Sequence, residues 1–348
     1  MIDVISLFSG CGGLDLGLEK KRTFLIAAND FDPDAIATLK KNKKFFHGSK
    51  NILEGDIKDF DIQFFLKFRN KKNPLIIIGG PPCQPFSKNG YWITNKKRLK
   101  ELDPRNHISY FLKVVKETNA DGFLLENVES ILHPSNKHVA DKIMELSDRE
   151  LGFNMKLIKA NACEFGVPQK RKRVFFLGTK GNFTGEILKT HASDGKKDLF
   201  SNLPEFVSAG EAIDEFDENK YFEEKEICNG TFAEELKLIP PGENYLFLTK
   251  KKGCADPKFE YGTRFWQFLL KLDPKKPSWT IAAQPGPWTG PFHWTNRRLR
   301  VPEIAALQTF PKNYKFVGSR RSIQRQIGNA VPPKLAKAMT GYLLDSLE

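Results

Sequence analysis

Residues Ile76 to Ser87 read I-I-I-G-G-P-P-C-Q-P-F-S, which sets a thiol, Cys83, just past an apolar run of strand length. Such a run closed by Gly-Gly predicts a buried strand of a parallel sheet, and chemistry in open α/β sheets sits beyond the carboxyl ends of such strands. Pro81 and Pro82 fix their own φ and Pro85 restrains Gln84, so little backbone freedom remains around Cys83. A nucleophile needs that positioning. A lone cysteine in a proline-rich turn is otherwise an inert core residue, so its standing depends on the groups placed beside it.

Three further clusters carry reactive types. The apolar stretch Gly122 to Leu125 ends in Glu126-Asn127-Val128. If the two strands are sheet neighbours, Cys83 and Glu126 share a crevice, and a thiolate beside a carboxyl suits covalent catalysis on a ring, the acid protonating a ring nitrogen. Partial burial would raise the Glu126 pKa and keep it a donor. The run Gln169-Lys170-Arg171-Lys172-Arg173 puts Gln169, Arg171 and Arg173 on one face by strand alternation, with two guanidiniums able to orient a carboxylate and a phosphate. Near the start, Phe8-Ser9-Gly10-Cys11-Gly12-Gly13 lets a ligand approach the backbone, though it is not the G-x-G-x-x-G dinucleotide fingerprint. Asp30 follows 20 positions after Gly10, at a distance that suits ribose hydroxyls, and Asp56 could meet an adenine amino group. Turn and acids together favour an adenosine-containing cofactor.

The elements that must hold these groups alternate over residues 2–180. Strands are predicted at Asp3–Phe8, Phe24–Ala28, Leu75–Gly79, Gly122–Leu125, Asn154–Ala160 and Arg173–Leu177, and helices at Leu14–Lys20, Pro33–Asn42, Ile108–Thr118 and Lys137–Leu151. This is the pattern of a doubly wound α/β sheet, a Rossmann-like domain. After Gly178 the chain turns irregular and richer in Gly, Pro, aromatics and charge. A smaller second domain is expected at 181–321, with the Pro333–Leu347 tail returning as a helix to a first domain of 1–180 plus 322–348.

Across 348 residues the net charge is +13, which favours a polyanionic partner. The stretch Glu205 to Glu226 is acidic and is expected to face away from such a partner. Five scattered cysteines form no C-x-x-C pair, so neither a metal site nor a disulfide framework is expected. No apolar run reaches the ~18 residues of a membrane span, and the first residues lack the features of a secretion signal, so a cytoplasmic protein is expected.

In order along the chain, F-S-G-C-G-G, G-G-P-P-C-Q-P-F-S, E-N-V, Q-K-R-K-R, Arg297-Arg298-Leu299-Arg300 with Leu307-Gln308-Thr309-Phe310-Pro311, and Gln326-Ile327-Gly328-Asn329-Ala330-Val331-Pro332 resemble the cytosine-C5 DNA methyltransferase family. Asp103-Pro104-Arg105 also fits. The resemblance implies that Cys83 adds to cytosine C6, that Glu126 contacts N3 and the exocyclic amine, and that Arg171, with Arg173 near it, steadies the activated base. It implies S-adenosylmethionine as methyl donor and S-adenosylhomocysteine as product, held by Phe8, Gly10, Cys11, Gly12, Gly13, Asp30, Phe31, Asp56, Ile57, Pro82, Ile108 and Asn329. The target base would be flipped out of duplex DNA. Gln84, Ser87, Lys88 and Arg105 would lie on a loop closing over that DNA, with Gly90 as hinge. Thr280 would support the flipped nucleotide's backbone, and Arg297, Arg298 and Arg300 would grip phosphates or a guanine edge.

A tRNA methyltransferase of the same family is the nearest alternative, but its usual Cys-Phe-Thr signature is absent. An inactive DNA-binding member is opposed by the intact Cys83, Glu126 and Arg171. A catalytic core with a modest variable domain and no appended chromatin-reading modules looks like a prokaryotic restriction–modification enzyme, whose cognate endonuclease could be encoded nearby without being bound, or an orphan methyltransferase. A monomer is expected, because one such protein can methylate one strand of a site per encounter.

Overall fold

The structure is a computed structural model that describes residues 1–48, 51–82, 107–192 and 203–348. Its centre is a seven-stranded sheet. The strands are β1 (Ile2–Leu7), β2 (Thr23–Asp30), β3 (Asn51–Glu54), β4 (Leu75–Gly79), β5 (Gly122–Val128) and β6 (Asn154–Asn161), followed after the short β7 (Gln169–Lys170) by β8 (Lys172–Thr179). The order is β3-β2-β1-β4-β5-β8-β6. All pairs are parallel except those of β8, which runs antiparallel to both β5 and β6. β7 leaves this sheet to pair with β9 (Ser278–Trp279).

Alternation within each strand explains the two-sided burial. Val4, Ile76, Ile78, Leu124 and Leu177 enter one core cluster, and Ile5, Leu7, Ile77, Phe123, Leu125 and Phe176 enter the other. Strands covered on both faces read as continuous apolar runs, which is why β4 and β5 were legible. The helices α1 (Pro33–Lys41) and, much later, α9 (Pro333–Asp345) cover the first face through Ile36, Leu39, Leu335, Met339 and Leu343. On the second face lie α2 (Ile62–Leu66), α3 (His107–Glu117) and α4 (Lys137–Glu145), represented by Phe65, Phe111, Val115 and Ile143. The tail thus returns to the sheet as its amphipathic pattern required. Asp32, Asp56 and Asp61 each accept an amide two residues on, starting α1, a 3-10 turn and α2.

Some boundaries differ from the sequence expectation. The helix expected at Leu14–Lys20 shrinks to a 3-10 turn, Asp15–Gly17, which ends where Leu18 goes extended at ψ 130°; Gly17 packs against Ala336 of α9, where a Cβ would lie 2.5 Å from backbone. The helix expected to reach Leu151 ends at Glu145 and continues as one wide π turn, Leu146–Glu150, before Gly152 adopts φ +68°. The edge strand β3 carries only Asn-Ile-Leu-Glu, too short to announce itself.

The later chain forms α5 (Ala209–Ile213), α6 (Ala233–Leu238), α7 (Val301–Leu307) and α8 (Arg320–Asn329). A separate small core of Leu236, Ile239, Tyr245, Leu248, Phe268, Leu269 and Phe292 lies within it, while Ile304, Leu307, Phe310 and Ile327 join the first face of the sheet. Among the described residues no helix is long and apolar enough to cross a membrane.

Candidate active site

The carboxyl ends of β1, β2, β4 and β5 open on one edge of the sheet. β4 and β5 are neighbours with Gly79 opposite Leu125, so Gly80 and Glu126 emerge side by side. A Cβ on Gly80 would stand 3.0 Å from Glu126 Oε2, so glycine gives the carboxylate room to lie against this backbone. Asn127 Nδ2 donates to Pro81 O at 3.3 Å and fixes the same turn. Cys83, Gln84, Ser87, Lys88 and Arg105 lie outside the described residues.

Because β8 is antiparallel, its first residues return to this edge, with Arg173 opposite Val128. Arg173 Nε reaches Glu126 Oε1 at 2.9 Å, a diagonal pair on one face. Glu126 is only 8 % exposed. Burial raises its pKa, and the charges of Arg173 and Arg171 only partly oppose this, which favours a carboxyl that keeps its proton. Arg171 is fully buried. Its Nη2 donates to Gly328 O at 2.7 Å, while Nε and Nη1 have no partner among the described residues. Burial and the neighbouring Arg173 pull its pKa well below the usual value, and Glu126 opposes them.

Strand alternation did not unite Gln169 with these arginines, since the chain breaks out of strand geometry at Arg171. Gln169 is instead a buried joint: Nε2 donates to Leu307 O and Gln308 Oε1, and Oε1 accepts from Ile281 N. Gln308 in turn donates to Ile327 O at 2.7 Å. The motifs around Arg171, Gln308 and Gly328 therefore brace one another.

The glycine turn offers a cradle. Phe8 adopts φ +54° and Gly10 φ +53°. An added Cβ at Gly10 would meet nothing within 4 Å, so this side of the turn is open. Gly10 N donates to Asp30 Oδ2 at 2.7 Å, and Asp32 N donates to Oδ1 at 2.9 Å. Each carboxylate oxygen keeps a lone pair for a hydroxyl. The Phe31 ring is 69 % exposed, Pro82 and Asn329 are exposed, and Asp56 is half-buried. Other residues expected here face inward: the Cys11 thiol donates to Gln326 O at 3.4 Å, and Ile57 and Ile108 enter the core. Gly13 is needed for packing, because its Cβ would sit 2.4 Å from Val331 O. His107, which no motif singled out, stands edge-on to Phe8 with ring centroids 5.5 Å apart. Its position at the start of a helix gave no signal in the sequence. Asp15, also unremarked, is buried under the turn, and burial pushes its pKa up to about 6.

Two of the arginines expected to contact DNA are buried in ion pairs. Arg297 and Arg300 are 9 % and 4 % exposed. Arg297 grips Glu303 through two nitrogens at 2.9 and 2.6 Å and Asp217 at 2.7 Å. Arg300 grips Glu226 at 2.5 and 3.0 Å and also donates to Phe216 O and Glu218 O. Buried guanidiniums require such partners. Part of the acidic stretch is paired within the protein: Glu215, Asp217, Glu223 and Glu226 bind Lys312, Arg297, Arg320 and Arg300. Arg298 alone of the three arginines reaches open space. It lines a cleft of about 760 Å³ with Lys225, Gln284, Arg320, Arg321 and Gln324. Thr280 donates its hydroxyl to Lys170 O at 2.7 Å, tying this region to the strand that leads to Arg171.

A model of C-5 cytosine-specific DNA methylases matches residues 2–344. The chain belongs to that family. It is 36 % identical over 375 residues to the Type II methyltransferase M.SacI of Streptomyces achromogenes, covering 99 % of this chain and 93 % of that one. Identity to the Type II methyltransferase M.NgoFVII of Neisseria gonorrhoeae is 33 %, covering 99 % and 88 %. In fold it is similar to a putative DNA modification methyltransferase encoded within a prophage of E. coli, with TM-score 0.68, 22 % identity and 99 % of each chain covered. The DNMT2 structure of Spodoptera frugiperda gives TM-score 0.66 at 19 % identity, again over 99 % of each chain. The chain is a DNA (cytosine-5) methyltransferase of Rossmann-like fold.

Proposed function

We propose that this methyltransferase modifies one cytosine within a short duplex sequence, drawing the base out of the helix, and that it protects DNA as the partner of a restriction endonuclease. The observation that carries the mechanism is the meeting of Glu126, Arg173 and Arg171 against Gly80, three residues before Cys83. In this reading the Cys83 thiolate forms a bond to C6 while a proton held on Glu126 passes to N3, so the electron pair of the 5,6 double bond becomes nucleophilic at C5. Arg173 orients Glu126, and the Arg171 nitrogens that have no partner among the described residues would face the polarised base. S-adenosylmethionine, when bound, supplies the methyl group. Loss of the C5 proton to a base then returns the pair to the ring and expels Cys83 as the thiolate, and the N3 proton goes back to Glu126.

Gly10, Asp30, Phe31, Asp56, Pro82 and Asn329 would hold the cofactor, a role supported by the open turn and the exposed ring. Residues 181–321 would form the target-recognition part and 1–180 with 322–348 the catalytic part. The protein would act as a monomer in the cytoplasm. The names of the relatives, both Type II methyltransferases, support the protective role.

Bisulfite sequencing of DNA from a methylation-free host expressing the protein, beside Cys83→Ser, tests the proposal. Protected cytosines in one short context, lost in the variant, are expected. Protection retained in Cys83→Ser would overturn the covalent route, and soluble wild-type protein that protects no cytosine would overturn duplex DNA as substrate.

A further inference from the structure

Trp266 and Trp279 stand together on the surface, 52 % and 37 % exposed, with ring centroids 5.8 Å apart and planes 74° to one another. Hydrogen bonds tie the backbone at or beside each of them. Asn244, itself buried, donates to Trp266 O at 2.8 Å, and Gln267 Nε2 donates to Thr280 O at 3.4 Å. Trp279 lies in β9 opposite Lys170, whose ammonium sits 4.9 Å from the Trp279 ring centroid. The next residue after Lys170 is Arg171, and the residues after Trp279 and Thr280, Ile281 and Ala282, line the cationic cleft.

An exposed aromatic pair rimmed by polar and charged groups marks an interaction site. A cation over one ring and the arginine-rimmed cleft beside it select a polyanion with flat apolar faces, which describes a nucleic acid. Drawing a cytosine from a duplex removes the stacking partner of both neighbouring bases. We propose that Trp266, braced edge to face by Trp279, is the surface on which a nucleobase beside the extruded cytosine stacks. The inference rests on the DNA-methylation reading above. It adds an aromatic wedge that offsets the unstacking and holds the helix open.

The test uses the full chain and a labelled duplex bearing the sequence mapped by bisulfite sequencing, with 2-aminopurine in place of the target cytosine as reporter of extrusion. Trp266→Ala should weaken duplex binding about tenfold and dim the reporter, while Trp266→Phe stays within about threefold of wild type. S-adenosylhomocysteine binding should be unchanged in both, which separates the contact from a folding defect. Trp266→Gln, a polar replacement at an exposed position, reads the same contact should the alanine variant fold poorly. Wild-type affinity and reporter emission in Trp266→Ala or Trp266→Gln, and in Trp279→Ala, would overturn the wedge alone. A wild-type protein that neither binds nor methylates duplex DNA would overturn the reading on which it rests.

Discussion

Replacing Arg300 by alanine separates a structural arginine from a DNA-reading one. Its guanidinium holds both oxygens of Glu226 and two backbone carbonyls, those of Phe216 and Glu218. Glu226 is 6 % exposed, and its next nearest cation, Arg297 Nε, lies 3.9 Å away. Truncation therefore strands a buried carboxylate and two carbonyls. Removing one partner of a buried pair costs about 3–5 kcal/mol, some hundred- to several thousand-fold in the folding equilibrium. For a chain of 348 residues roughly 1.4 °C per kcal/mol applies, so thermal unfolding should begin about 4–7 °C lower. Pairing Arg300→Met with Glu226→Leu removes the stranded charge and should recover most of the loss. Arg298→Ala is the contrast. It should leave the melting temperature nearly unchanged and reduce the slope of log affinity against log salt by about 0.9, the share of one phosphate contact. Calorimetric melts and DNA binding across a salt series measure both quantities. An Arg300→Ala protein with a native melting temperature and a reduced salt slope would refute the buried-pair argument and return Arg300 to the DNA surface.

Three further outcomes follow from the site and its turn. Burial raises the Glu126 pKa, so its protonated, donating form persists to higher pH than for an ordinary glutamate, and methyl transfer should fall as pH rises through that raised value. Glu126→Gln should slow transfer by about 10²–10⁴-fold and erase this alkaline limb in a rate–pH profile; an unchanged limb would assign it to another group. Gly13→Ala should destabilise the fold by about 1–3 kcal/mol, since its Cβ meets Val331 O at 2.4 Å. Gly10→Ala meets no atom within 4 Å and carries only the strain of φ +53°, so its main effect should be weaker S-adenosylhomocysteine binding by calorimetric titration, and normal binding would move the cofactor off the turn.

What the sequence made legible was whatever is encoded locally. β4 and β5 announced themselves because strands buried on both faces cannot tolerate polar interruption. The turns after them were marked by glycine and proline, whose backbone limits are intrinsic. The strand positions of Leu75–Gly79 and Gly122–Leu125 therefore fell within a residue or two of β4 and β5, except that β5 runs on through Val128. Gly17 shows the opposite case: nothing beside it in the sequence marks its glycine as required, and it is Ala336, more than three hundred residues on, that leaves no room for a Cβ there.

Charge was the least legible property, for the same reason. Arg297 and Arg300 stand in a run that locally resembles any phosphate-binding strip, and Glu226 and Asp217 in one that resembles an acidic tail. Only the fold reveals that the two runs neutralise each other across some 80 positions. Arg173 illustrates how that logic builds a site. It meets Glu126 because β8 enters the sheet antiparallel between β5 and β6, which turns a sequence separation of 47 residues into a diagonal contact on one face. A parallel β8 would put Arg173 at the far end of the sheet with the same amino acids. The reactive arrangement is thus a property of strand direction, and the residues legible in the sequence become a site only through it.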